Sequence, residues 1–213
     1  MRLLSPAERD RAIDVFARAF DGDPMFRFLL PDARRHDWLR FVMGGMLAQA
    51  LPDGNTYTID GVPGVVTLVS PRGWPIPTSR LLRYIAAFWA RPDLPWPEWA
   101  RLRNGLRVLG LMDRLHPADP HWYVQTLGVD PDQQGQGVGR ALLDGATALA
   151  DADGLPSYLE TTNPVNLPIY RRFGFEVADE VVLPGGFPPL WTMRRPPRPR
   201  LRPPGTAGTA QDR

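Results

Sequence analysis

Three glycines at alternate positions, Gly135, Gly137 and Gly139, lie within the stretch LGVDPDQQGQGVGRALL, Leu127 to Leu143. A strand-like run precedes them and a helix-like run follows. Such a junction bares successive backbone N–H groups at the positive end of a helix dipole, and together these make an anion site. Glycine also lets the main chain approach a phosphate closely and take left-handed angles. The chemistry on offer is the holding of a phosphate-bearing carrier. A tight strand-to-helix turn with no ligand would use the same glycines.

Residue types remove several carriers and reactions. Starting from Gly135, the third glycine of the dinucleotide fingerprint G-x-G-x-x-G would fall on Arg140, and the loop lies past the middle of the chain. A triphosphate-binding loop needs a lysine, and all 25 basic side chains are arginine. Lysine Schiff-base and pyridoxal-phosphate chemistry are lost with it. There is no cysteine, hence no disulfide framework, thiolate zinc site or cysteine nucleophile. No G-x-S-x-G occurs to support a hydrolase triad. His116, Asp119 and His121 sit in a proline-containing turn without a recognised ligand spacing, so no metal is expected.

The strand before the loop narrows the carrier. Gly128 inside a strand points to a bulge or to a close backbone approach by another group. A bulge would leave ladder amides unpaired, and buried amides need partners. A ligand with its own amides could lie along that strand. A molecule with a pyrophosphate at one end and peptide-like amides at the other is coenzyme A.

These residues must be positioned by an alternating α/β chain whose length suits one domain with a full core. SPAERDRAIDVFARAF reads as a helix with Ser5 as N-cap, Pro6 in its first turn and Glu8 closing a capping box. A second helix is expected over Arg34 to Leu51. NTYTIDGVPGVVTLVSP reads as two strands joined at Asp60-Gly61. Helices over Thr78 to Ala90 and Pro97 to Leu115 follow. Phe88, Trp89, Trp96 and Trp99 between them pack the two helices or wall an acceptor cleft. Then come the strand HWYVQTLGV, the glycine loop, a helix to about Ala152, the strand PSYLETT, the helix NLPIYRRFG and a β-rich end from Phe175 to Met193.

From Arg194 to Arg213 there are six arginines and one acid, a charge of +5, so the body before it is −3. That Pro/Gly/Arg-rich end has almost nothing to bury and is expected to be a disordered tail over 196–213, after a domain over 1–195. The body carries no nucleic-acid signal, and no nucleic-acid partner is expected. MRLLSPAERDRAID lacks the apolar core of a signal peptide, and no run approaches the ~20 apolar residues that cross a bilayer. A soluble, cytoplasmic protein without membrane contact is expected; a homodimer stays open.

LGVDPDQQGQGVGRALL resembles the signature of the GNAT-type N-acetyltransferase superfamily, a strand followed by Q/R-x-x-G-x-G/A opening a helix, with Gln134, Gly137 and Gly139 as the matching residues. YLETTNPVNLPIYRRFGF resembles the family's later strand, asparagine turn and tyrosine helix, with seven residues from Asn163 to Tyr170. Within the superfamily the motifs look closest to puromycin N-acetyltransferase-like members. The resemblance implies an α/β GNAT fold, a mixed twisted sheet flanked by helices. It implies acetyl-CoA as co-substrate, and transfer of its acetyl group to a primary amine of a small molecule by direct attack. Leu127, Gly128 and Val129 would pair with the pantetheine arm. The amides of Gly135, Gln136, Gly137, Val138, Gly139 and Arg140 would hold the pyrophosphate, with Gln134 supporting the loop. Asn163 or Asn166 would contact the cofactor. Tyr170 matches the residue that protonates the departing thiolate, and a backbone N–H from Leu127 to Val129 would stabilise the oxyanion.

The general base is less determined. Many relatives carry a glutamate on the strand before the loop, where WYVQT offers Gln125 and Thr126. Glu160 on the next strand is the nearest carboxylate candidate, His121 could act through a water, or the amine could lose its proton to solvent. The competing reading is a non-catalytic module of the same fold that senses acyl-CoA or another ligand.

Overall fold

The computed structural model describes residues 1–30, 32–74, 99–183 and 185–198. The expected helix over Thr78 to Ala90, the residues Phe88, Trp89 and Trp96, and the tail beyond Arg198 lie outside them. Seven strands form one sheet: β1 (Arg2–Leu3), β2 (Thr56–Thr58), β3 (Gly64–Val69), β4 (Trp122–Val129), β5 (Ser157–Thr161), β6 (Glu176–Val181) and β7 (Leu190–Arg195). Their order is β1-β2-β3-β4-β5-β7-β6. Every neighbouring pair is antiparallel except β4 and β5, which run parallel. The described helices are α1 (Arg9–Ala19), α2 (Pro24–Leu29), α3 (Arg35–Ala50), α4 (Trp99–Leu115), α5 (Val138–Asp153) and α6 (Leu167–Arg172).

Local chemistry explains the first elements. Glu8 accepts the N–H of Ser5 at 3.0 Å, the reciprocal half of a capping box, and pairs with Arg2 at 2.7 Å. One carboxylate therefore starts α1 and fastens β1 beside it. Asp23 starts α2 by accepting the N–H groups of Met25 and Phe26, with Pro24 at the first helical position. The Asp60-Gly61 pair lies between β2 and β3, whose register sets Thr58 opposite Val65. Gly61 and Val62 both take left-handed angles there, φ 81° and 51°.

Each face of the sheet is covered, and that explains the uninterrupted apolar run of β3. Val65 faces one cluster, built from Phe16 and Ile13 of α1 and Leu39, Met43 and Leu47 of α3. Its neighbour Val66 faces the other, built from Leu142, Ala146 and Val138 of α5 with Leu68, Leu159 and Met193. Successive strand residues point to opposite sides, so a strand buried on both sides cannot alternate with polar residues. Among the described residues, no helix is long and apolar enough to cross a membrane.

Candidate active site

The parallel pair β4 and β5 is joined for only two residue pairs, Trp122 with Ser157 and Tyr123 with Tyr158. Beyond them the strands part, although both continue, to Val129 and Thr161. The facing edges of Val124–Val129 and Leu159–Thr161 thus border an opening in the middle of the sheet. Backbone edges left unpaired in a core need partners. The opening widens toward the carboxyl ends of a parallel pair, where ligands of α/β sheets collect.

A bulge exists in β4, at a different place from the one expected. Thr67 of β3 pairs with Thr126, whereas Leu68 pairs with Val124, so Gln125 is the extra residue. Gly128 keeps the regular register opposite Val65. Its lack of a side chain answers to α1: a Cβ there would stand 2.8 Å from Phe16 Cδ1 and 3.1 Å from Ala19 Cβ. The glycine marks a close helix approach, and the bulge lies three residues earlier. The hydroxyl of Thr126, next to the bulge, is buried without a hydrogen-bond partner, as are those of Thr67 and Thr56 beside it in register.

The glycine loop stands at the open end of this gap. β4 ends at Val129, a 3-10 turn covers Pro131–Gln133, and α5 starts at Val138 with Gly137 as its N-cap. Gly135 and Gly137 have φ of 77° and 84°, and among the described residues no non-neighbouring atom lies within 4 Å of the Cβ that either would carry. Backbone conformation, not space, requires glycine at both. The first N–H after Gln134 with a close backbone acceptor belongs to Ala141, on Gly137 O at 2.9 Å. Gln134 donates to Val129 O at 3.2 Å, and Gln136 to Asp132 O at 3.2 Å. Two nearby carboxylates would repel an anion, but Arg18 of α1 pairs with Asp130 at 2.9 Å and Asp132 at 2.8 Å. The loop is therefore braced from two sides at a helix start. Arg140 is exposed, 3.6 Å from Asp144 one turn on.

At the end of β5, the asparagines serve the turn. Asn163 Oδ1 accepts the N–H of Val165 at 3.2 Å, and Asn166 Nδ2 donates to Thr161 Oγ1 at 3.3 Å. Tyr170 follows on α6, packed edge-on to Phe175 at 6.0 Å. Burial pushes its phenol up to about 12, and the charge of Asp23 adds to the rise. Asp23 is the N-cap of α2, so a residue far away in the chain contributes to the environment of Tyr170. The Asp23 carboxyl is itself raised by burial, against the pull of the Phe26 and Met25 amides. Nothing in the sequence order announced this pairing; the Asp-Pro helix start at 23–24 was its only trace.

Glu160 is not an unengaged carboxylate. Tyr123 donates to its Oε2 at 2.8 Å and Tyr158 to its Oε1 at 2.9 Å. Burial raises the carboxyl, while the two phenols draw it back. His116 lies edge-on to both phenol rings, at 5.0 and 5.2 Å, and stacks on Trp74 at 4.1 Å. His116 and His121 meet Nε2 to Nε2 at 3.1 Å, and His121 Nδ1 lies 2.7 Å from Asp119 O. Burial, with the neighbouring His121, lowers His116 to about 4, so it is neutral at ordinary pH. Asp119 turns its carboxylate away, to Arg194.

Residues 100–177 match the model of the acetyltransferase (GNAT) domain. Over 72 residues the chain is 39% identical to an uncharacterized N-acetyltransferase of Schizosaccharomyces pombe, a match covering 33% of this chain and 29% of that protein. The chain thus spans less than a third of that relative. Among solved structures, the Corynebacterium glutamicum histone acetyltransferase HPA2 and related acetyltransferase superposes with a TM-score of 0.64 at 24% identity, over 92% of this chain and 94% of that one. The Drosophila melanogaster polyamine N-acetyltransferase, which catalyses formation of N-acetylagmatine, superposes with a TM-score of 0.59 at 13% identity, over 92% and 98%. Segment 100–177 therefore resembles the GNAT acetyltransferase domains, and the chain as a whole carries the GNAT fold.

Proposed function

We propose that this chain transfers an acetyl group from acetyl-CoA to a primary amine of a small molecule. The observation that carries the proposal is the gap between β4 and β5, opening beside a glycine-started helix whose first amides have no close backbone acceptor among the described residues. The pyrophosphate lies on the amides from Gly135 to Arg140, with Gln134 holding the loop. The pantetheine amides run along the β4 edge at Leu127, Gly128 and Val129. Asn163 and Asn166 border the cofactor from the turn after β5.

The amine nitrogen attacks the thioester carbonyl and a C–N bond forms. The carbonyl oxygen becomes an oxyanion, met by an N–H of the β4 edge, a contact worth about 3 kcal/mol in such sites. The C–S bond then breaks, Tyr170 hydrogen-bonds the departing thiolate, and the proton of the attacking nitrogen passes to solvent as the amide forms. Holding amine and thioester together supplies roughly 7 kcal/mol or more of the rate. The acceptor class rests on the motif resemblance and on the small-amine reaction of the Drosophila neighbour. An aminonucleoside acceptor rests on the motif resemblance alone, and belongs in the screen.

Calorimetry with desulfo-CoA tests the cofactor half of the reading, and thiol release with a panel of amines, scored by the mass of the acetylated product, tests the other half. No heat at millimolar ligand overturns the proposal. Heat without thiol release from any amine supports the second reading, a non-catalytic acyl-CoA module. That reading is favoured by one observation: both oxygens of Glu160, the nearest carboxylate candidate for the general base, already accept a hydrogen bond.

A further inference from the structure

The two phenols on Glu160 stand where the sheet divides. Tyr123 is the last β4 residue paired with β5, and Tyr158 is its partner. Glu160, two residues on and on the same side of β5, receives a hydrogen bond from each. The Tyr123 bond crosses from β4 to β5 just beyond the last backbone pair, so side chains continue the joint where the ladder stops. The phenol rings cannot swing aside freely. They touch each other at 5.6 Å between centroids, and both meet His116; Tyr123 also meets Trp74 at 6.0 Å and Tyr158 meets His121 at 5.4 Å. Tyr158 and Tyr123 are 2% and 7% exposed, which leaves little water to substitute for a lost partner. On the far side, Glu160 backs onto Thr192 of β7, which accepts the N–H of Asp179 at 3.0 Å and donates to its carboxylate at 3.1 Å.

We infer that Glu160 is a positioning residue: by gripping Tyr123 and Tyr158 it fixes the angle at which β4 and β5 part, and so the seat of the thioester in the gap. The inference rests on the reading that acyl-CoA occupies this gap. It assigns the carboxylate a geometric task in place of proton abstraction. A carboxylate held by two donors keeps its shape well and gives up its lone pairs poorly, which suits the first task and not the second. Glutamine preserves the length and one acceptor oxygen, and its amide can still meet the second phenol oxygen. It should therefore keep most of the joint while losing all basicity.

The experiment uses the full chain with Glu160→Gln, Glu160→Ala and Tyr123→Phe. Each variant is followed by desulfo-CoA affinity, by kcat and KM for acetyl-CoA across pH, and by hydrogen exchange of the amides of residues 124–129 and 159–161. Glu160→Ala and Tyr123→Phe should speed exchange at those amides and lower kcat/KM for acetyl-CoA by about 10- to 100-fold, the scale of a small misplacement. Glu160→Gln should restore most of both, with the shape of the pH profile unchanged. A large kcat loss in Glu160→Gln with unchanged KM, unchanged exchange and a vanished acid limb would overturn the inference in favour of a base. Wild-type exchange in both truncated variants would overturn it as well. If wild-type protein binds no desulfo-CoA, the functional reading falls, and the exchange data still decide whether Glu160 joins the strands.

Discussion

Replacing Tyr170 by phenylalanine removes one oxygen and tests the acid role at the scale the structure sets. The phenol, pushed up to about 12 by burial and by Asp23, is a weaker acid than an ordinary tyrosine at about 10. The departing thiol has a pKa of about 8.5, so complete transfer from the phenol is uphill by about 3.5 units, or about 5 kcal/mol. Tyr170 therefore cannot surrender its proton ahead of other events. In the proposed reaction it would act as a hydrogen-bond donor to the growing thiolate while the new ammonium releases its own proton. A hydrogen bond to a charged group is worth about 1.5–3 kcal/mol, which predicts a kcat lower by roughly 10- to 100-fold, the bottom of the usual range for general acids. No described residue hydrogen-bonds the hydroxyl, so its loss orphans no described group, and stability should hold within about 1 kcal/mol. The assay is thiol release under saturating acetyl-CoA and amine, with desulfo-CoA affinity as the control. The phenol stays protonated through neutral pH, so it contributes no alkaline limb below about pH 10. Its raised value costs stability only as pH climbs from about 10 through 12, and the phenylalanine variant should lack that loss. Unchanged turnover would refute the acid role; lost desulfo-CoA binding in step with turnover would show a packing role instead.

Four further outcomes follow from the geometry. Gly137→Ala should cost about 1–2 kcal/mol in urea unfolding because of its left-handed φ of 84°, although its Cβ would meet nothing; Gly139→Ala, inside the helix with Val129 Cγ2 at an ordinary 3.4 Å, should be neutral or gain up to about 1 kcal/mol. Asp151→Ala should cost about 3–5 kcal/mol, since it strands the guanidinium of Arg195, 3% exposed and held by two 2.7 Å bonds. The Arg195 bond holds the Asp151 carboxyl below its ordinary value, so its contribution is present above the unfolded pKa of about 3.9 and fades as pH falls through the lower folded value; Asp151→Asn should remove that acid transition. Gly128→Ala should lose about 1–3 kcal/mol against Phe16, and Phe16→Leu in the same chain should recover part of it. Thr67→Val should change stability by less than about 1 kcal/mol, because no described group takes its buried hydroxyl.

What could be read in advance was whatever a few adjacent residues determine. The capping box at Ser5 and Glu8, the hairpin at Asp60-Gly61, and the left-handed glycines opening α5 are each decided within a turn or two of chain. α2 shows the limit of such signals. Asp23 and Pro24 are a sound helix start, but a helix of six residues has too little periodicity to stand out. β1 is shorter still, and it exists because Arg2 finds Glu8 and Asp60.

The bulge shows why the remainder was out of reach. A glycine within a strand has two physical causes, an irregular backbone or a neighbour that leaves no room, and only the neighbour's position separates them. At Gly128 the neighbour is Phe16, more than a hundred residues earlier. The true extra residue, Gln125, carries no mark at all, because a bulge is a relation between two strands and any side chain can occupy it. The same holds for Glu160. Its alternation with Tyr158 was visible, but Tyr123 reaches it only once the parallel crossover has brought β4 beside β5. The residues that would hold cofactor phosphates are thus written locally, through backbone amides. Those that set the width of the gap and the acidity of its phenol depend on contacts between distant segments, so a motif can place the cofactor's phosphates while leaving open how its thioester is aimed.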